Sequence, residues 1–267
     1  MRRVRKGDYD SWQSYYWDYQ QILAEDYYIP YLENEGNLST SNIKSIIDIG
    51  CGNGGFIDAV NSRFNKNSNC LSLGIDIKSF KTWKGRNTHY KVHNILKDDN
   101  KNHKNKYDLV ILRDVIEHIP AQFKQNFIET ARDFMSNNGK MLITFPPYLS
   151  PFGLHQQAIM KSFLKKTPYL SALPKILIKK LTAKFESAET WTEIAEIIDS
   201  GMTISNFKEL IKETNLIAYK QKFFTIRPSH EIRYNVKYFQ SPFGSIPLIR
   251  EFLISGTCYL LKKDCYF

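Results

Sequence analysis

The chain has 267 residues, enough for one or two domains, and its 42% hydrophobic and 24% charged residues exclude a wholly disordered or fibrous protein. Its 37 Lys and Arg residues exceed its 27 Asp and Glu residues, which gives a formal net charge of +10. No apolar run of about 18 residues predicts a transmembrane helix, and the opening residues MRRVRKGDYD lack the apolar region of a secretory signal. The four cysteines have neither disulfide-scaffold nor zinc spacing, so we expect a reducing, cytoplasmic location.

Aromatic residues dominate the first part of the chain. Residues 8–33 hold nine of them and contain no Gly or Pro before Pro30, which predicts one or two helices. Strands and helices then alternate. The predicted strands are 43–48, 71–76, 89–95, 107–112 and 140–145, and the predicted helices are 54–66, 78–85 and 120–136, the last with a C-cap at Asn137-Asn138-Gly139. Such alternation indicates βαβ units around a parallel sheet.

The alternating pattern stops after Phe145, where five prolines interrupt a segment with short helical stretches. Helices are predicted again at 189–199 and 203–214, followed by a strand at 217–226 and a final strand at 256–261. The first part of this region is strongly basic. Residues 134–185 contain no Asp or Glu and eight lysines, so they supply +8 of the net +10.

A glycine-rich loop joins the first predicted strand of the sheet to the following helix. It reads Asp48-Ile-Gly50-Cys51-Gly52-Asn-Gly54-Gly55, and the next strand ends in Asp76. Closely spaced glycines let the backbone approach a ligand, and a carboxylate at the tip of the next strand suits the two hydroxyls of a ribose. The same spacing also fits the loop of dinucleotide-binding folds. Against that alternative stand the acid Asp48 before the loop and a second motif, DVIEHIP, after the fourth strand.

Three motifs in this order resemble those of class I S-adenosylmethionine (SAM)-dependent methyltransferases. IIDIGCGNGGF is similar to their motif I, LGIDI to their second motif and YDLVILRDVIEHIP to the motif after their fourth strand; the likeness covers about residues 44–145. The resemblance implies a Rossmann-like α/β fold with a central, mostly parallel seven-stranded sheet, helices on both faces and an antiparallel last strand. Residues 1–42 are then a helical, aromatic-rich extension or lid, and 43–267 the methyltransferase domain, with an acceptor-binding insertion at about 146–202.

The resemblance also implies which residues bind SAM, with S-adenosylhomocysteine (SAH) as the product. Asp48 anchors the loop, Asp76 binds the ribose, Ile77 lies against the adenine, and Asn94 faces the adenine amino group, where many relatives have Asp. The full expected set is Asp48, Gly50, Cys51, Gly52, Gly54, Asp76, Ile77, Asn94, Ile95, Arg113 and Asp114.

Methyl transfer from a sulfonium is an in-line displacement, so the protein must position the acceptor and, for a hydroxyl, remove a proton. Asp114, His118 and His155 are the candidate catalytic residues. The Asp114-x-x-Glu117-His118 run is similar to the Glu-x-x-Glu-His of some metal-dependent O-methyltransferases. A structural role for Glu117 and His118 at the turn is the stronger interpretation, and we expect no metal.

Acceptor contacts are expected from the proline-rich loop after the fifth strand, namely Tyr148, Phe152 and His155, and from Tyr16 of the N-terminal segment. Alternatively, these aromatic side chains only pack. Lys175, Lys179 and Lys180 alternate with apolar residues and predict contact with an anionic substrate or a membrane surface, unless they form a solvated helix face. Nucleic acid is disfavoured because residues 134–185 contain no Arg, the residue best suited to bidentate phosphate recognition.

Together these features predict a methyltransferase that modifies an oxygen, in preference to a nitrogen, of a small molecule or saccharide. An RNA 2′-O-methyltransferase and a non-catalytic SAM-binding scaffold are the alternatives, and a dehydrogenase is the least favoured.

Overall fold

A computed structural model describes residues 1–65 and 70–264 of the chain. The end of the predicted helix 54–66, Cys265 and the last residues of the predicted domain lie outside the described residues. Within these ranges, none of the helices combines the length and the apolar character that crossing a membrane requires.

An eight-stranded sheet forms the centre of the molecule. Its strands are β1 (Ser45–Ile49), β2 (Leu71–Asp76), β3 (His89–Val92), β4 (Tyr107–Arg113), β5 (Met135–Phe145), β6 (Leu216–Ile226), β7 (Phe239–Gln240) and β8 (Gly256–Lys263). Their spatial order is β3-β2-β1-β4-β5-β8-β6-β7. Strands β1 to β5 pair in parallel, and β8 runs antiparallel to both β5 and β6. The predicted Rossmann-like fold is confirmed, with the two-residue β7 added to the seven strands expected.

Helices surround the sheet. They are α1 (Trp12–Leu23), α2 (Ile29–Asn34), α3 (Gly55–Phe64), α4 (Lys124–Phe134), α5 (Gln156–Ile159), α6 (Lys175–Phe185), α7 (Ala188–Ser200), α8 (Ile204–Glu213), α9 (Pro228–Tyr234) and α10 (Ile249–Leu253). Between α1 and α2 the chain forms a π-helical turn, Ala24–Tyr28. This turn precedes Pro30, whose missing N–H and ring disturb regular α-helical hydrogen bonding.

Two hydrophobic cores lie on opposite faces of the sheet because successive strand side chains point to opposite sides. Ile46, Leu109 and Ile111 pack with α3 and the N-terminal helical segment. Ile47 and Val110, from neighbouring positions, pack in a second cluster with side chains of α4 and α8. The glycine loop, Asp76 and Asp114 follow the carboxyl ends of β1, β2 and β4, which is the edge where open α/β sheets bind ligands.

Two predicted elements differ in the structure. The helix expected at 78–85 is a single 3₁₀ turn, Lys81–Trp83. The predicted cap Asn137-Asn138-Gly139 is wrong, because α4 ends at Phe134 and these residues belong to β5. A Cβ at Gly139 would lie 2.7 Å from the carbonyl oxygen of Tyr107, so glycine here permits close approach of β4 at a register shift.

The segment between β5 and α8 has a small hydrophobic cluster of its own. Its buried members are Leu154, Met160, Leu164, Leu170, Ile178, Ile194 and Ile197. They come from α6, α7 and the loops before them, so residues 146–202 pack as a unit on the carboxyl edge of the sheet.

Candidate functional site

The glycine loop has a backbone conformation that residues with a side chain rarely adopt. Gly50, Gly52 and Gly54 have φ angles of +77°, +55° and +91°. A Cβ at Gly50 would lie 2.5 Å from Val115 Cγ2, whereas one at Gly52 would meet no atom within 4 Å. The first glycine is therefore needed for packing against the β4 loop, and Gly52 leaves open space where a ligand can approach.

The segment after β2 holds the loop in place. Thr82 Oγ1 donates to the carbonyl of Asn53 at 2.7 Å, and Trp83 Nε1 donates to the carbonyl of Gly52 at 2.9 Å. The Tyr90 hydroxyl donates to the Gly54 carbonyl at 3.1 Å, and its ring stacks on Trp83. The contacts of Thr82 and Trp83 with the loop were not predicted, because both residues lie in the range 78–85 that was assigned to a helix.

Asp76 links the loop to the second strand. One carboxylate oxygen accepts from the Gly52 N–H at 2.9 Å and the other from the Lys78 N–H at 3.1 Å. Each oxygen retains a further lone pair. Asp76 lines a cleft of about 710 Å³, and the neighbouring Ile77 also lines it with 64% of its surface exposed. An exposed isoleucine beside a fixed carboxylate suits a flat, apolar ring attached to a diol.

The cleft brings together part of the predicted set. Those in its wall are Gly50, Asp76, Ile77, Asn94, Ile95, Asp114 and His118. Sequence analysis missed the opposite wall, which includes Pro120, Phe123 and Phe127 at the start of α4. Phe123 is 46% exposed there, and the two phenylalanines that closely follow DVIEHIP were the signal that could have indicated it.

Asn94 lies in the cleft wall, but part of its side chain is already engaged. Its Oδ1 accepts from the Leu96 N–H at 3.0 Å and thereby orders the turn after β3. A carbonyl oxygen has two lone pairs, so one acceptor position and the amide group stay available to a ligand.

Three predicted residues lie beneath or behind the loop and not in the cleft wall. Asp48 is buried, and loss of water raises its pKa to about 7, although Arg113 opposes the shift. The Cys51 side chain is turned toward the sheet, since a Cβ on Gly74 would lie 2.9 Å from its Sγ. Arg113 donates to Gln20 Oε1 at 2.7 Å and lies over the Phe56 ring at 3.9 Å. Arg113 thus ties α1 to the end of β4.

Asp114 is engaged in an ion pair that the sequence did not predict. Arg227 Nη2 lies 2.8 and 2.6 Å from its two carboxylate oxygens, and Thr144 Oγ1 donates at 3.1 Å. Burial alone would raise the pKa of Asp114, but Arg227 and Arg113 outweigh it and lower the pKa to about 2. A carboxylate this acidic and this occupied is a poor proton acceptor, which argues against Asp114 as the catalytic base.

The two candidate histidines are in contact with each other, and of the two only His118 lines the cleft. The rings of His118 and His155 meet edge to face with centroids 5.2 Å apart. Burial, and then the field of His118, lower the pKa of His155 to about 4, so its imidazole is neutral at pH 7. His118 is exposed in the cleft wall, so at least one imidazole is open to a ligand.

Glu117 precedes His118 but, unlike it, is buried. It is only 5% exposed, and neither carboxylate oxygen has a hydrogen-bond partner among the described residues. Burial, and then Asp114, raise the pKa of Glu117 well above its usual value. Across the described residues, we find no group of three or more His, Cys, Asp or Glu side chains arranged to hold a metal ion.

The predicted acceptor residues are distributed differently. Tyr148 packs against the hydrophobic cluster of residues 146–202 and hydrogen-bonds through its backbone N–H to Met202. Phe152 is half-buried and, like Tyr148, is not in the cleft wall. Tyr16 lies on α1, where its ring stacks with Trp12 and contacts Tyr19.

The lysines of the basic stretch lie beside acidic residues in the folded structure. α7 follows it and carries Glu189, Glu193, Glu196 and Asp199, and it packs beside α6. Lys175 pairs with Asp199 at 2.5 Å, and Lys179 lies over the Trp191 ring at 5.8 Å. Lys180 is exposed. Two of the three predicted anion-binding lysines thus have contacts within the insertion itself.

Comparison with known proteins identifies the family. The family model described as "Methyltransferase domain" matches residues 23–216. No curated protein gives a significant match. Among solved structures, the chain is similar to a SAM-dependent methyltransferase from Archaeoglobus fulgidus, with 13% identity, a TM-score of 0.52 and coverage of 91% of this chain and 94% of that one.

A second similar structure is the plantazolicin methyltransferase BpumL in complex with SAH. Its TM-score is 0.53, its identity 15%, and the alignment covers 94% of this chain and 89% of that one. The same enzyme with a triazolic desmethylPZN analog and SAH gives a TM-score of 0.54 at 14% identity, with coverage of 94% and 90%. At these identities the likeness shows a common fold.

The residues present fit SAM on the geometry alone. The open space at Gly52 admits a ligand against the backbone, and Asp76 with the exposed Ile77 offers polar and apolar surface at the required edge of the sheet. The chain belongs to the methyltransferase-domain family and is a SAM-dependent methyltransferase.

Proposed function

We propose that this enzyme transfers the methyl group of SAM to an oxygen, in preference to a nitrogen, of a small molecule or saccharide. The observation that carries the proposal is an imidazole in the cleft wall, His118, whose ring contacts that of His155 with centroids 5.2 Å apart. A neutral imidazole accepts the proton that a hydroxyl loses on methylation. Asp114 is held by Arg227, and a pKa of about 4 makes His155 a weak base, so this task falls to His118 in the cleft wall.

The cofactor set in this proposal keeps every residue assigned from sequence, with roles refined by their positions. Asp76 binds the ribose hydroxyls, Ile77 and Ile95 face the adenine, and Asn94 hydrogen-bonds the adenine edge. Gly50, Cys51, Gly52 and Gly54 shape the loop, with Asp48 and Arg113 supporting it from behind. Asp114 lines the cleft at the end of β4. SAM supplies an activated methyl group, and the protein's task is to orient the acceptor and exclude water.

The two additions to the core fold have distinct roles in this proposal. Residues 1–42 form a lid over the loop, because α1 packs so closely that a Cβ on Gly55 would lie 2.6 Å from the carbonyl oxygen of Trp17. Residues 146–202 border the acceptor side through His155, whose ring contacts His118. Tyr16, Tyr148 and Phe152 then act by shaping these two elements around the acceptor.

The RNA alternative receives less support than the charge of the sequence suggested. Sequence-independent RNA binding needs a cationic surface that contacts several phosphates. Here the acidic residues of α7 lie beside the lysines of α6, and Lys175 is paired with Asp199. We therefore expect no steep salt dependence of acceptor binding through this stretch.

The experiment is a methyl-transfer assay with labelled SAM against fractionated small molecules and saccharides, followed by identification of the labelled atom. We expect label in an ether or ester linkage, and His118→Gln should reduce turnover strongly while SAH affinity stays unchanged. Label found only in RNA, or SAH binding with no transfer to any acceptor class, would contradict the proposal.

A further inference from the structure

Beyond the cleft, three arginines from two parts of the chain act on one buried tyrosine, and one of them, Arg233, lies 5.3 Å from its ring centre. Burial raises the pKa of Tyr19 to about 12, and Arg113, Arg227 and Arg233 act against this rise through their positive charge. Arg227 precedes α9 and Arg233 lies on it, close to α1, which carries Tyr19. The cluster therefore adjoins Asp114 on the side of the N-terminal lid.

Arg233 differs from the other two in how it is held. Its Nε donates to the Tyr15 hydroxyl at 3.2 Å, and its guanidinium carbon lies 5.3 Å from the ring centres of both Tyr19 and Tyr234. No carboxylate of the described residues forms an ion pair with it. It is half-buried, so aromatic rings hold the guanidinium while part of it stays open.

The charge of this region is unbalanced. Asp114, already bound to Arg227, supplies one negative charge against the three arginines, and Asp48, whose pKa is about 7 and which interacts with Arg113, supplies only part of a second. Burial and Arg227 lower the pKa of His230 to about 4, so it adds no charge at pH 7, and the same holds for His155. Burial also raises the pKa of Glu117 well above its usual value, which disfavours a negative charge there.

SAM does not remove this excess. Its sulfonium, ammonium and carboxylate groups add up to a net positive charge, so the loaded site is more positive than the protein alone. A half-buried cationic site favours an anionic ligand, because the interaction strengthens where water is partly excluded. The planar guanidinium of Arg is suited to carboxylate and phosphate groups, to which it donates two parallel hydrogen bonds.

We propose that Arg233 binds a carboxylate or phosphate group carried by the methyl acceptor, which makes the acceptor an anionic small molecule. This inference rests on the proposed function and specifies its substrate class. It also moves anion recognition away from the lysines of residues 134–185, where sequence placed it, to α9. Tyr15 and Tyr19 hold the guanidinium on α9, the helix that directly follows Arg227, the partner of Asp114.

The test uses protein saturated with SAH, so that the cofactor's own carboxylate is already accommodated. Isothermal titration measures binding of inorganic phosphate and of benzoate at constant ionic strength for the wild type, Arg233→Gln and Arg233→Lys. Arg63→Gln is the matched control, because Arg63 lies on α3 and pairs with Glu33 on α2, and neither residue belongs to the arginine cluster. Thermal unfolding of each variant checks that it folds.

We expect the wild type to bind at least one of the two anions, and the preferred one identifies the group. Arg233→Gln should weaken that binding at least about ten-fold, as expected for loss of a charge-assisted hydrogen bond, and Arg233→Lys by less. Arg63→Gln should match the wild type, and SAH affinity should be equal in all four proteins.

Three outcomes would overturn the inference: no anion binding by the SAH-loaded wild type, equal binding by the wild type and Arg233→Gln, or a ten-fold loss of SAH affinity in Arg233→Gln. If Arg233→Gln does not fold, the comparison rests on Arg233→Lys, and affinity equal to the wild type then contradicts the inference. Failure of the wild type to bind SAH is a different result, because it contradicts the proposed function itself.

Discussion

Arg227 Nη2 bonds both carboxylate oxygens of Asp114, although the two residues are 113 positions apart in sequence. The pair joins the loop after β6 to the end of β4, and the Thr144 hydroxyl adds a bond from β5. Asp114 has a φ of +53°, in the left-handed region that residues other than glycine adopt at a cost in free energy, although the cost is smaller for Asp and Asn than for other side chains. The ion pair therefore fixes a strained turn at the carboxyl edge of the sheet, beside the cleft.

We predict that Asp114→Asn lowers the free energy of unfolding by about 1–3 kcal/mol at pH 7, as expected for loss of hydrogen bonds to a charged group. The lower end is favoured because the side chain is 34% exposed. The native pKa of about 2 lies below the unfolded value of 3.8, so the contribution is complete above pH 3.8 and is lost as pH falls toward 2.

Urea unfolding measures this change, with Asp133→Asn as the control. Asp133 forms a surface pair with Arg132 at 2.8 Å and should contribute less than about 1 kcal/mol. Equal destabilisation by the two variants would contradict the structural role assigned to the Arg227 pair.

Gly50→Ala tests the packing of the loop. The new Cβ meets Val115 Cγ2 at 2.5 Å and must also adopt a φ of +77°, so we expect strong loss of SAH affinity and lower stability. The double variant Gly50→Ala/Val115→Ala removes the steric conflict but not the backbone strain, and should recover part of both losses. Calorimetric titration of SAH into the single and double variants measures the recovery of affinity. If the double variant recovers none, the steric conflict with Val115 does not contribute and the loss comes from the backbone strain alone.

Trp83 offers a test of a contact that sequence analysis missed. In Trp83→Phe the ring can still stack on Tyr90, but the donor to the Gly52 carbonyl is lost. We expect SAH affinity to fall several-fold, since a neutral hydrogen bond contributes about 1 kcal/mol. Trp12→Phe, at a residue 50% exposed on α1, should leave the affinity unchanged. Identical affinity of Trp83→Phe and the wild type would show that the loop does not depend on this bond.

The lowered pKa of His155 predicts that the stability of the protein depends on pH in a definite direction. Burial, and then His118, lower the pKa of His155 from 6.5 to about 4 in the folded protein. Asp114 opposes this shift, and Arg227 adds to it. The unfolded chain therefore binds the proton more readily, and the stability associated with a neutral His155 is present above pH 6.5 and is lost as pH falls toward 4.

In His155→Asn this dependence should disappear, and Asn tolerates the residue's φ of +53°. Denaturant unfolding of both proteins at several pH values between 5 and 8 gives the difference in free energy. We expect the advantage of the wild type to shrink steadily below pH 6.5. A difference that is constant over this range would refute the lowered pKa of His155.

The sequence predicted the fold, and the placement of the glycine loop and Asp76 at one edge of the sheet, for a physical reason. A buried strand, glycines at fixed spacing and an acid at the next strand tip are local patterns, so Gly50, Gly52 and Asp76 could be identified from their neighbours alone. Arg227 and Trp83 had no such local signal, because each acts on a residue far away in sequence. For the same reason the sequence could not show how the lysines are paired, since the contact of Lys175 with Asp199 depends on how α6 and α7 pack.

The central claim is that SAM binds in the cleft bordered by the glycine loop and Asp76. Calorimetric titration of SAH into the wild type and Asp76→Asn tests it most directly, with Asp99→Asn as an exposed control. Asn keeps the size of the side chain but removes its charge and one acceptor, so we expect Asp76→Asn to weaken SAH at least about ten-fold, with thermal stability near that of the wild type. Equal affinity of Asp76→Asn and the wild type would contradict the assigned site.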